Sequence, residues 1–598
     1  MEPPERKSDF GRRCLAVAAI FVFAVTTQGA DGLSATSGTG ADTSGSFAGR
    51  AGAAGGAEPN AGGLPAGRAE APDGTQANAG GLPAGRAEAP DGTQANAGGL
   101  PAWRLAALGD TATTAPTTAS VAAPSAAAAT THPLPPLSPC QLEHPQRLNV
   151  VSADCGVLTV AENPAKPGGR QIPLAFARVP AISQRMKPDP LFVIAGGPGM
   201  AATTFYAMTS PVFTRIHRDR DIVLVDQRGT GGSNPLNCQS DGQTNSEESN
   251  DAIAAEARRC LEQLSAKADV SQYTTSLAVE DLDHVRQALG YDRINLYGVS
   301  YGTRVAQHYL RRFPQHTRTI VLDGVVPPEV TLGADMAIDA EASLTRILGR
   351  CAREVECKKG FGDPEQDYHD LWQWLQARPA PVAVADPATG KPTHFEFTRF
   401  HLATVLRLSV YSAEPTALLP LLLHEAHESK DFSPLAAQFL LLSRTYSDVV
   451  AIGMNNTVSC TEDLAFYNPK DTDRVKLEST FLGTAQLDGL LAICKVWPRG
   501  PIDPDFHAPL HSDVPTLLLS GSDDPVTPPA YAEQARRGLT HSLSVVLQDF
   551  GHGQIAAPCV DRVMEQFINR ASVSGLDTTC TRNDRPMAFF TSVNGPPP

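Results

Sequence analysis

The chain is 598 residues long and holds no C-x-x-C pair, no tight Cys/His cluster and no H-E-x-x-H, so nothing in it spells a metal site. His424-Glu425-Ala426-His427 comes nearest, but its second histidine arrives one residue too soon, and a solvated helix face is the better reading. No Gly-Lys-Ser/Thr follows its glycine-rich segments, which excludes a phosphate loop of the nucleotide-binding type. Basic stripes are absent and the net charge is -15, which argues against nucleic acid as a partner. Long apolar runs are scarce too. The run from Cys14 to Val25 has 12 residues, short of the ~20 needed to cross a bilayer.

That run has another use. Arg12 and Arg13 precede it and small residues follow to Ala30, the pattern of a secretory signal over residues 1–30, cleaved near Gly29 or Ala30. The mature chain is then exported, periplasmic or secreted, with no membrane span. From 31 to 136 Ala, Gly, Pro and Thr dominate, and an 18-residue unit starting at Asn60 recurs at Asn78, its opening again at Asn96. The unit has too little apolar content to bury a face against a neighbour, so a disordered linker is expected, not a solenoid. Of the 11 cysteines only Cys14 lies in the signal. The remaining even number favours disulfides in an exported protein, and their order along the chain points to neighbours: Cys140 with Cys155, Cys238 with Cys260, Cys351 with Cys357, Cys460 with Cys494, Cys559 with Cys580. Closing a loop of ~15 residues this way contributes about 3 kcal/mol in the chain-entropy model.

Between 137 and 328 continuous apolar strands (Leu191 to Ile194, Ile222 to Val225, Ile294 to Tyr297, Thr319 to Leu322) alternate with amphipathic helices such as Leu277 to Leu289, capped by Ser276. Strands that are apolar throughout belong to a parallel sheet covered on both faces. From 329 to 510 the pattern is helical, as in Leu402 to Leu408 and Leu418 to His427. Strands resume from 511 to 598 with Thr516 to Leu519 and Leu543 to Leu547, and a helix closes the chain from about Val560 to Ala571. The expected architecture is an α/β-hydrolase fold, a mostly parallel sheet with helices on both faces, interrupted by a helical cap over the carboxyl ends of the strands.

The chemistry centres on Gly298-Val299-Ser300-Tyr301-Gly302, which joins the strand from Ile294 to the helix-like segment from Thr303. A serine between two glycines on a strand-to-helix turn is a nucleophile elbow: neither glycine has a β-carbon, so neighbouring backbone can approach and the serine hydroxyl projects. A serine needs a base and the base an orienting acid. Asp524, in Gly521-Ser522-Asp523-Asp524-Pro525-Val526-Thr527-Pro528, is the expected acid, with Asp523 and Asp323 as rivals. His552, in Phe550-Gly551-His552-Gly553, is the expected base. The oxyanion donors are the amides of Tyr301 and of Gly197 in Gly196-Gly197-Pro198-Gly199.

These motifs, with Asp226-Gln227-Arg228-Gly229-Thr230-Gly231-Gly232-Ser233 between them, make the stretch from Cys155 to Cys580 resemble the proline iminopeptidase and tripeptidyl aminopeptidase group of α/β-hydrolases, with a TAP-like C-terminal part. The resemblance implies a serine exopeptidase acting on peptide N-termini, with peptide substrates, no cofactor, and Asp226 and Arg228 bracing a loop. Ala195 stands where simpler iminopeptidases carry a histidine, which places the chain nearer the exported tripeptidyl-type members. An aminopeptidase needs an anion for the substrate's ammonium group, and Glu462 and Asp463, beside Cys460, are the expected substrate-binding carboxylates; an acidic surface turn is the alternative there. Two other functions stay open: an esterase or other acyl hydrolase on the same machinery, and a non-catalytic binding protein with this fold.

Overall fold

The computed structural model describes residues 136–238, 249–387 and 389–596. The expected export signal and the repeat-bearing linker up to residue 135 lie outside the described residues. The strands are β1 (Ser138–Glu143), β2 (Val150–Ala161), β3 (Gln171–Val179), β4 (Leu191–Ile194), β5 (Ile222–Val225), β6 (Ile294–Val299), β7 (Thr317–Asp323), β8 (Ala380–Ala385), β9 (Pro392–Phe397), β10 (Thr516–Gly521) and β11 (Ser542–Leu547). Nine of them form one sheet in the order β1-β2-β3-β5-β4-β6-β7-β10-β11. From β5 to β11 all neighbours are parallel. β1, β2 and β3 add an antiparallel edge.

The apolar runs explain why the sheet is covered on both sides. Side chains alternate across a strand, so Phe192, Val223, Leu296, Ile320 and Leu518 enter one apolar core, and Leu191, Leu224, Tyr297, Val321 and Leu517 the other. A helix lies at Thr275–Ala288, where the spacing of Leu277 to Leu289 places it. Its N-cap is Thr274, however, and not Ser276. Ser276 lies inside the first turn, where its hydroxyl accepts the Asp503 amide at 3.0 Å.

The residues between β7 and β10 are mostly helical, including Met336–Arg353, Arg399–Ser409, Ala413–Ser429, Ser433–Val449 and Ala485–Cys494. They also carry the β8–β9 hairpin, which the sequence reading missed: its alternation in Ala380-Pro381-Val382-Ala383-Val384 is short and its partner strand is polar. The insertion has its own core, and Val526 from the loop after β10 sits in it. All five neighbouring cysteine pairs are joined. Among the described residues no helix is long and apolar enough to cross a membrane.

Candidate active site

β6 is buried along its whole length and leads directly into Ser300, whose backbone sits at φ 57° and ψ -127°. A non-glycine residue there is strained and must be held. Here the Ser300 amide donates to the Asp323 carbonyl at 2.8 Å, and its own carbonyl accepts the Thr303 hydroxyl at 2.6 Å. Both flanking glycines are required by close approach. A β-carbon on Gly298 would stand 2.3 Å from the Gly302 carbonyl oxygen, and one on Gly302 would stand 2.5 Å from that of Ile194. The Ser300 hydroxyl is buried and has no hydrogen-bond partner among the described residues. Tyr301 opens the helix Tyr301–Arg312, so its amide lacks a carbonyl one turn earlier in that helix.

Asp524 and His552 meet across the turns after β10 and β11. His552 Nδ1 is 2.7 Å from Asp524 Oδ2. The other carboxylate oxygen accepts the Val526 and Thr527 amides at 2.9 and 2.8 Å. Thr527 was not singled out from the sequence, yet its hydroxyl donates to Asp524 Oδ2 at 2.7 Å and stands 3.0 Å from His552 Nδ1. Its signal is the Pro525-Val526-Thr527-Pro528 segment directly after Asp524. The rival acids are otherwise engaged. Asp523 pairs with Arg346 at 3.0 Å. Asp323 accepts the Gln554 and Ile555 amides at 2.7 and 3.0 Å and the Tyr297 hydroxyl at 2.9 Å. Burial pushes the Asp323 carboxyl up to about 6. Asp323 thereby ties the Ser300 turn, through its carbonyl, to the loop of His552, through its carboxyl group.

The insertion closes onto this site from two directions. Tyr411 accepts the His552 amide on its carbonyl at 3.1 Å and sets its ring edge-to-face on the imidazole, centroids 5.5 Å apart. Farther along, Ala451 donates to the Gly199 carbonyl at 2.9 Å, and the Asn455 amide group donates to the Pro198 carbonyl at 3.0 Å. Gly197, in this loop after β4, has φ 113°, and a β-carbon on it would lie 2.7 Å from the Gly199 nitrogen.

Glu462 and Asp463 do not stand ready for a substrate. Glu462 has no exposed surface. Its two oxygens accept the Thr275 amide at 2.6 Å and the Thr275 hydroxyl at 2.7 Å, and that hydroxyl contacts the Tyr301 hydroxyl at 2.5 Å. Asp463 is buried against Arg304 at 2.8 Å and accepts the Leu332 amide. Both carboxylates are spent on protein partners, so their expected role in substrate binding is corrected to bracing. An acidic surface turn is equally wrong. Asp226 and Arg228 do brace their loop: Asp226 accepts the Thr203 and Gly232 amides, and Arg228 grips Asp281 with two hydrogen bonds at 2.7 and 2.8 Å. His424 and His427 face Asp367 across the insertion, at 2.8 and 3.0 Å, so that helix face packs against a neighbour.

The sheet order and the serine turn after β6 define the class of an α/β-hydrolase. Residues 189–358 match the family described as alpha/beta hydrolase fold, and residues 479–580 match the family described as TAP-like protein. Serine protease Hip1 of Mycobacterium tuberculosis is 27% identical over 438 residues, spanning 65% of this chain and 80% of that protein. Tripeptidyl aminopeptidase of Streptomyces coelicolor is 26% identical over 465 residues, 72% of this chain and 84% of that one. Carboxylesterase B of Mycobacterium tuberculosis is 28% identical over 470 residues, 70% of this chain and 84% of its own length. The chain has the α/β-hydrolase fold, and it is similar over most of its described length to tripeptidyl aminopeptidase-like serine peptidases, with a TAP-like C-terminal part.

Proposed function

We propose that the protein is an exported serine aminopeptidase that removes residues from peptide N-termini through an acyl-enzyme. Ser300 Oγ attacks the scissile carbonyl while its proton passes to His552 Nε2, and Asp524 holds the imidazole by its Nδ1–H and stabilises it when charged. The amides of Gly197 and Tyr301 receive the oxyanion; one such donor contributes about 2.7–4 kcal/mol of transition-state stabilisation. His552 then gives the proton to the leaving amine, and water repeats the sequence on the ester. The observation that carries this reading is the 2.7 Å His552–Asp524 contact, buried beside a strained serine turn that is tied to the same loops. Export is supported by the N-terminal signal pattern and by the five disulfides.

With Glu462 and Asp463 committed elsewhere, Glu414 is the carboxylate we assign to the substrate's ammonium group. It lies in the first turn of Ala413–Ser429, three residues past Tyr411, and both its oxygens are buried without a hydrogen-bond partner among the described residues. The relative named Carboxylesterase B keeps an esterase as the second reading. The test compares Pro-, Ala- and Ala-Ala-Pro-arylamides, free and N-acetylated, with wild type, Ser300→Ala and Glu414→Gln. Free substrates should turn over far faster, Glu414→Gln should narrow that preference, and Ser300→Ala should abolish turnover. Equal rates on acetylated substrates would reject the aminopeptidase, and full activity in Ser300→Ala would reject the serine mechanism.

A further inference from the structure

The insertion buries a guanidinium that forms no ion pair among the described residues. Arg407, on the helix Arg399–Ser409, is 4% exposed, and neither Nη1 nor Nη2 has a hydrogen-bond partner among the described residues. Its guanidinium lies over the ring of Tyr411, 4.6 Å from the centroid. Stacking of this kind offsets only part of what burying an unpaired ion costs, so the arrangement is incomplete as it stands.

The place is informative. The face of Tyr411 carries Arg407, while the same ring packs edge-to-face on His552. On the helix Ser433–Val449, which packs against Arg399–Ser409, the Ser443 and Tyr446 hydroxyls are also buried without a partner among the described residues. Tyr446 is close enough to Tyr411 to be influenced by it. That helix runs out at Val450, which pairs with Met200 just beyond the glycine loop. The guanidinium and the two hydroxyls thus sit on two packed helices of the insertion, one leading to Tyr411 and the other to the glycine loop. All can donate, and neither the two Nη atoms of Arg407 nor the two hydroxyls have an acceptor among the described residues.

We propose that Arg407 anchors a carboxylate of the substrate, on the leaving-group side of the scissile bond, with Ser443 and Tyr446 completing the site. The side follows from the mechanism, on which this inference rests: His552 hands its proton to the departing amine, so a group held over Tyr411 belongs to the part of the peptide that leaves. The carboxylate is either the free C-terminus of a short leaving fragment or an acidic side chain on its first residue. Such an enzyme trims short peptides or acid-bearing ones in preference to neutral, blocked substrates.

The experiment uses the full chain and two matched pairs, each with the acyl part that the arylamide assay selects. One pair ends in Ala as free acid or as amide; the other ends in Asp-amide or Asn-amide. Wild type should cleave the acid member of at least one pair about tenfold or more faster in kcat/KM, and the pair concerned identifies the source. In Arg407→Gln and Arg407→Met the acid-to-neutral ratio should fall towards one, with reaction of Ser300 with a fluorophosphonate reporting a folded elbow. Arg407→Lys, which keeps the charge, should retain part of the ratio. Wild type without either preference overturns the proposal whatever the variants do, and so does a labelled Arg407→Gln that keeps the preference. Turnover persisting in Ser300→Ala would instead reject the serine mechanism, and with it the assignment of Arg407 to the leaving-group side.

Discussion

Thr527 does two jobs with one hydroxyl. It donates to Asp524 and stands at hydrogen-bond distance from His552 Nδ1, so it fixes which way the carboxylate presents its second oxygen. Thr527→Val keeps the shape and removes that bond. A hydrogen bond to a charged group contributes about 1.5–3 kcal/mol, so kcat should fall about 10- to 100-fold with little change in KM. An unchanged kcat across the pH profile would remove Thr527 from the machinery. Glu462 makes its prediction through protonation. Burial raises its carboxyl from 4.5 to about 7, against the pull of the Thr275 hydrogen bonds. The folded protein therefore holds this proton where the unfolded chain has lost it, and this contribution to stability is full below pH 4.5 and is lost as pH rises to about 7. Denaturant unfolding of Glu462→Gln, which cannot ionise, should fall less steeply over that window than wild type. Parallel curves would show that Glu462 does not titrate there.

At the scale of elements, the elbow works because β6, the helix Tyr301–Arg312 and β4 touch backbone to backbone. Gly302 has the Ile194 carbonyl 2.5 Å from the place of a β-carbon. That carbonyl belongs to a central strand and cannot swing aside. Gly302→Ala should cost about 1–3 kcal/mol in overpacking, read as a lower midpoint of unfolding, together with a loss of fluorophosphonate labelling as Ser300 is displaced. A neutral Gly302→Ala would mean that the turn is looser than its geometry states. Glu462 acts at this scale as well. It joins the insertion to the start of the helix Thr275–Ala288 and, through the Thr275 hydroxyl, to Tyr301. The segment that carries it is stapled to the helix Ala485–Cys494 by Cys460–Cys494.

For the whole molecule, the disulfides are local in sequence but the segments they pin are not local in function. Cys460–Cys494 spans 34 residues, and losing a native bridge of this kind typically costs about 2–5 kcal/mol. The pair Cys460→Ala with Cys494→Ala should lower the thermal midpoint. Wild type in reductant should approach the same value if this is the bridge that matters most. A midpoint unmoved in the double variant would show that packing alone holds the insertion there.

Much of this was legible along the chain. The strands β4, β5, β6, β7, β10 and β11 announce themselves because burial on both faces demands unbroken apolar runs. The elbow announces itself because only glycine tolerates the approach at 298 and 302. The edge strands β1 to β3 did not, since each turns one face outward and its runs are mixed. Nor did the β8–β9 hairpin. Local pattern determined the fold class, the order of Ser300, Asp524 and His552, and the neighbouring cysteine pairs, because each depends on residues close in sequence or on burial that repeats along a strand. Tertiary structure alone decided which acid meets His552, that Glu462 and Asp463 are spent on Thr275 and Arg304, and that Arg407 lies over Tyr411 without an ion-pair partner among the described residues. A carboxylate or a guanidinium looks the same in sequence whether it is paired or not, because its partner arrives from a distant part of the chain.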